Sequence, residues 1–195
     1  MSAGPSKPLL ASLALLAAVA LGGCGESHSK VTTGTYAGES GASAPYLNVG
    51  PLVYQVQISR QLNPYSVSDS PYLQGLTPLQ RTLRPGQEWF GVFIQVYNNT
   101  TRAHLSATSL TISDTQRNIY FPVVPDQTNQ FAYRPGLVPA ASRLPPLNSI
   151  AANGSNQGAL LLFKIGIVSL DNRPLELKIV NPTNAAQTAS AELDV

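Results

Sequence analysis

Residues 84–100 read RPGQEWFGVFIQVYNNT, and this stretch decides the fold. Phe90, Val92, Ile94 and Val96 alternate with Trp89, Gly91, Phe93, Gln95 and Tyr97. Successive side chains of a strand point to opposite faces of a sheet, so a period of two reads as β-structure. Both faces are apolar at the start of the run, which a strand requires only where it is covered on both sides. A central strand is therefore predicted, closed by the turn residues Asn98-Asn99-Thr100.

The same pattern recurs on either side. Leu52, Tyr54, Val56 and Ile58 alternate with Val53, Gln55, Gln57 and Ser59, which gives a strand with one half-polar face. Leu110 and Ile112 begin a further strand that stops at Asp114–Asn118, and residues 119–124 return as its hairpin partner. Residues 159–168, ALLLFKIGIV, read as a buried strand, 169–174 as a turn, 175–180 as an alternating strand, and 189–195 as a closing one. About seven strands with no sustained 3.6-residue period predict an all-β chain, an immunoglobulin-like β-sandwich over 45–195. One short helix is expected at Pro78–Leu83, with Thr77 as its cap and Pro78 at its first position.

Two connections, 61–87 and 125–157, are long and rich in Pro, Asn, Gln, Ser and Tyr. Loops of this length inside a compact domain are uncommon and are often functional. They are expected to project from the sandwich. Tyr65, Tyr72, Phe131, Tyr133 and Arg134 then become candidate partner-binding residues, since aromatic and Arg side chains make good anchors.

The amino-terminal residues have a different logic. Lys7 and the terminal amine precede an apolar run from Leu9 to Leu21, long enough for a secretory signal and too short for a membrane span. The run ends in Leu21-Gly22-Gly23-Cys24, which resembles the bacterial lipobox. That resemblance implies diacylglycerol on the Cys24 sulfur, cleavage just before it, and 1–23 as a lipoprotein signal peptide. Two or three acyl chains hold a protein stably on a bilayer where one is marginal. Residues 25–44 are Gly, Ser, Thr and Ala with scattered charge and no apolar period, so Cys24 and this segment are read as a flexible tether reaching about 25 Å.

Composition narrows the function. The 195 residues are 43% hydrophobic and 11% charged, ample for a core and poor in charge for a soluble protein. A net charge of +2 supplies no electrostatic drive toward nucleic acid. One Cys forms no intramolecular disulfide and no multi-Cys metal site. His104 is the single His of the 45–195 domain, and Ser106, Ser109 and Asp114 lie near it in sequence without a nucleophile-elbow motif. Asp114, Asp126 and Asp171 read as turn formers. Arg81, Arg84, Arg102, Arg117, Arg134 and Arg143 give the middle of the chain an irregular basic bias.

Taken with the strand opening at Tyr54, the sequence around Trp89, the Leu-x-Ile-x-Asp segment at 110–114, the strand at 158–163 and Arg173-Pro-Leu-Glu-Leu177, the domain resembles a family. It is similar to the immunoglobulin-like domain of unknown function of Gram-positive and actinobacterial lipoproteins, which is also similar to a secreted mycobacterial immunoprotective antigen. The resemblance implies a fold and a compartment but no reaction. The expectation is a lipid-anchored, extracytoplasmic binding or accessory module on the cell membrane, non-enzymatic and without a cofactor or metal. Its partner would be an envelope protein or wall polymer. The alternative is a small-ligand-binding protein or hydrolase using the loops 61–87 and 125–157.

Overall fold

The computed structural model describes residues 1, 4, 29–32 and 46–193, with only the backbone given for 29–32. Among these residues the strands are β1 (Ser29–Thr32), β2 (Tyr46–Val49), β3 (Leu52–Leu62), β4 (Gln87–Asn98), β5 (His104–Leu105), β6 (Ser109–Ser113), β7 (Ile119–Tyr120), β8 (Leu137–Val138), β9 (Ser142–Leu144), β10 (Ala159–Gly166), β11 (Leu175–Val180) and β12 (Thr188–Leu193). Three helical turns accompany them: α1 (Pro78–Arg81), α2 (Ile150–Asn153) and α3 (Ile167–Asp171), with a 3-10 turn at Ser70–Leu73.

The fold is a β-sandwich. One sheet runs β1-β12-β11-β6-β7 and the other β10-β4-β3-β2, while β5 and β8 form a separate pair. All pairings are antiparallel except β1 beside β12, which is parallel. Strand β4 is central, as its two apolar faces require: β3 lines one edge, while β10 and then β9 line the other end to end. Phe90, Val92, Ile94 and Val96 face the second sheet and pack with Ile112, Leu177 and Ala191. Trp89 and Phe93 face the opposite way into a second cluster with Leu62, Tyr72, Leu73 and Leu160.

A bulge gives β3 the same double allegiance. Val56 opposes Ile94, yet Ile58 opposes Phe93, so Gln57 is one residue too many for the ladder. The extra residue reverses the alternation. Leu52, Tyr54 and Val56 point into the inter-sheet core, whereas Ile58 and Leu62 join the outer cluster.

The sequence expectations need several corrections. The strand expected over 119–124 ends at Tyr120, and Val123 makes only an isolated bridge to Leu162. The strand expected over 159–168 stops at Gly166, where Ile167 begins α3. Strands β2, β5, β8 and β9 were not expected; each is four residues or fewer, too short for a period to show. Ser29–Thr32, inside the segment read as a tether, runs as an edge strand beside β12. The helix at Pro78 is present, closed by a capping box between Thr77 and Gln80. The signal peptide, Leu21, Gly22, Gly23 and Cys24 lie outside the described residues.

The long loops do not project. Residues 70–76 fold over the outer face of β4, and Tyr72 meets Phe93 and Phe131 edge-on at 5.0 and 4.9 Å. Arg60 and Asp69 form an ion pair that ties this loop to β3. Asn129 then bridges the two loops, donating to the carbonyls of Tyr72 and Gln74 at 2.9 Å each.

Candidate functional site

The sequence-selected residues separate on this scaffold. Tyr72 is 5% exposed and Tyr133 6%, so neither is free to meet a partner. Both belong to the core because a phenol ring brings a large apolar surface that their loops need in order to close. The Tyr133 hydroxyl donates to Ala107 O at 2.8 Å, and the Tyr54 hydroxyl accepts from Ala107 N at 2.6 Å. Burial pushes both hydroxyls above a tyrosine's ordinary value. Phe131 is half-buried against Tyr72. Arg134 donates to the carbonyls of Pro125 and Asp126, locking its own loop. Tyr65, 94% exposed, is the one member of the set left standing in solvent.

The polar residues near His104 disperse as well. Strand β5 pairs His104 with Val138. Ser106 Oγ accepts from Gly136 N at 3.0 Å. Asp114 sits elsewhere, accepting from Asn118 N and Gln116 N at 2.9 Å each and from Ser169 Oγ at 2.6 Å. Burial alone would raise its carboxyl; the bonds from Asn118, Ser169 and Gln116 outweigh this and hold it below the usual carboxylate range. Its role is to close the loop between β6 and β7 onto α3. Among the described residues no group of His, Cys, Asp and Glu is placed to hold a metal ion.

A different site emerges on the outer face of the β2-β3-β4 sheet, at the end where β4 stops. Two shallow depressions of about 430 Å³ each share Tyr97 and Asn99 as common walls. One is completed by Tyr46, Asn48 and Val53, the other by Arg143, Pro146 and Leu147. Tyr46 and Tyr97 meet edge-on at 6.3 Å, giving the groove an aromatic flank. The floor is polar: Gln57 Nε2 donates to Gln55 Oε1 at 2.9 Å, and the Tyr97 hydroxyl donates to Gln95 Oε1. Burial raises the Tyr97 hydroxyl above its ordinary value, Tyr46 adds to the rise, and Arg143 opposes it. The buried Arg143 Nε makes no hydrogen bond.

Asn98 fixes this site. It is fully buried, and its Nδ2 reaches the carbonyls of Arg102, Val138 and Pro139 at 2.7, 2.9 and 2.9 Å. Its Oδ1 accepts from Thr100 N at 3.0 Å. The turn that presents Asn99 is thereby tied to the segment leading into β9 and Arg143. The groove offers amide and guanidinium groups for hydrogen bonding and phenol rings for stacking, the chemistry that grips a polar chain. Sequence reading missed it because Tyr97 and Asn99 read as strand end and turn, and Arg143 as one of several scattered cations. The half-polar outer face carried by Gln55, Gln57, Gln95 and Tyr97 was its visible trace.

No protein-family model matches the chain, and no curated protein matches it. Several solved structures are similar. A Bacillus subtilis protein, ycdA, described as a proposed lipoprotein, aligns at 9% identity with a TM-score of 0.46, over 79% of this chain and 39% of that one. This chain therefore spans well under half of ycdA. The yjhA protein of Bacillus subtilis aligns at 10% identity and a TM-score of 0.49, over 80% of this chain and 99% of that one. An uncharacterised β-sandwich protein of Clostridium difficile aligns at 9% identity and a TM-score of 0.42, over 82% and 96% of the two chains.

Proposed function

We propose that the chain is a lipid-anchored, extracytoplasmic binding or accessory module that recognises an envelope protein or wall polymer and performs no catalysis. On this reading the domain belongs with the immunoglobulin-like domains of Gram-positive and actinobacterial lipoproteins. The lipobox-like Leu21-Gly22-Gly23-Cys24 after an export-length apolar run supports the anchor. The observation that carries the binding role is the groove around Tyr97, where aromatic flanks, exposed amides and Arg143 converge on a polar floor. Exposed, sequence-diverse polar groups on a rigid sandwich are a recognition surface of the kind loops and strand ends supply.

The test is photocrosslinking in intact envelopes with a reactive residue in place of Asn99, and in place of Leu79 as an exposed control far along the sheet. One adduct specific to Asn99 and lost in Tyr97→Ala is the expected result. Equal labelling from both positions, or an Asn99 adduct unaffected by Tyr97→Ala, overturns the assignment of the groove.

A further inference from the structure

The two ends of the sandwich differ in charge. The turn Gly50-Pro51 and segments 98–108, 139–142 and 181–187 share one end: a side chain at Gly50 would strike Asn181, and Asn98 joins the Arg102 carbonyl to 138–139. These segments and β9 carry Arg102 and Arg143 and no Asp or Glu. Asp69, Glu88, Asp114, Asp171, Glu176 and Glu192 all lie toward the opposite end, and Asp126 lies on the flank beside β10. The far end also holds Arg60, Arg81, Arg84, Arg117, Lys164 and Arg173, so it is close to neutral. The cationic end additionally exposes Leu105, Leu137, Leu147 and Tyr46.

Strand β1 enters at this cationic end, with Ser29 opposite Thr188. Only Gly25–His28 separate Ser29 from Cys24, a leash of at most about 18 Å. Strand β4 alone, with 12 residues, spans about 40 Å. While β1 is paired, a lipid on Cys24 can bring only the cationic end to the bilayer. Cations beside exposed Leu and Tyr are the composition of a membrane-interface surface.

We infer that this end of the sandwich, carrying Arg102, Arg143 and the 181–187 loop, docks onto an anionic lipid surface. The inference rests on the lipid-anchor reading above and adds an orientation: the Tyr97 groove opens at the membrane-proximal rim. Each cation near an anionic leaflet strengthens docking about fivefold, and salt screens it.

The test uses the full-length protein purified from membranes and placed on phosphatidylcholine vesicles with or without phosphatidylglycerol. Amide hydrogen exchange is followed in 99–103 and 182–186 and, as a far-end control, in 115–118. Severalfold protection of the first two segments, only with phosphatidylglycerol and reduced by salt or by Arg102→Glu, is expected. The Arg102 side chain is exposed, so this variant keeps the fold, and its melting temperature checks that. Equal exchange on both vesicles, or protection of 115–118 instead, overturns the docking. Intact mass and vesicle flotation report the anchor separately. If the mass shows no lipid, the anchor reading fails, and coupling Cys24 to a maleimide lipid still decides the orientation.

Discussion

Single residues hold the turns of this sandwich, and Asn98 is the clearest. Its side chain satisfies three carbonyls and one backbone amide in a site without solvent. Asn98→Ala leaves those buried groups unpaired, each a desolvation loss rather than a mere missing bond. We expect a loss of about 2–3 kcal/mol in urea unfolding. Asp114 does similar work for the loop between β6 and β7. Its folded carboxyl lies below the unfolded value near 3.9, so its contribution is full above about pH 4 and fades as pH falls through the folded value. Asp114→Asn should therefore be less stable than the native chain at pH 7. The gap between them should narrow at pH 3, as urea midpoints at the two pH values would show. A gap that widens in acid contradicts the role given to the carboxylate. Both residues read from sequence as turn formers, which they are. Their partners, Val138 for Asn98 and Ser169 for Asp114, are 40 and 55 residues away and invisible to a local reading.

At the scale of elements, the strands with a long alternating period were legible and the short ones were not. Strand β4 announced itself because twelve residues give room for both faces to be read. Strands of two to four residues, such as β2 and β9, exist because a longer neighbour offers them an edge, and that information is tertiary. The aromatic residues of the long loops misled for a related reason. A Tyr at a loop position has the same letters whether it meets a partner or its own sheet, and the outer cluster around Trp89 claimed Tyr72 and Phe131. Gly158 controls the join between one of those loops and β10. Its φ is +119°, and a Cβ there would lie 2.9 Å from Ile94 N and 3.0 Å from Ile94 O. Gly158→Ala must either distort β10 or push it off β4. We expect about 3 kcal/mol of destabilisation, with exchange rising first at Ala159–Leu161. A variant within a few tenths of the native stability would show that the two strands have slack.

For the whole molecule, the parallel β1–β12 pair has a mechanical meaning. A pull on the chain from its lipid-bearing side would travel along β1 toward its partner, not across it. The four paired positions from Ser29↔Thr188 to Thr32↔Ala191 would then share the load and slide together, instead of peeling one by one. Such a joint resists modest drag, yet it is only four residues long and lies at the margin of its sheet. Under tension it is the first part to yield, and its release leaves β12 still hydrogen-bonded to β11 and the sandwich closed. The domain thus carries a sacrificial coupling between its mooring and its body, one that lets the mooring slacken without unfolding what it holds.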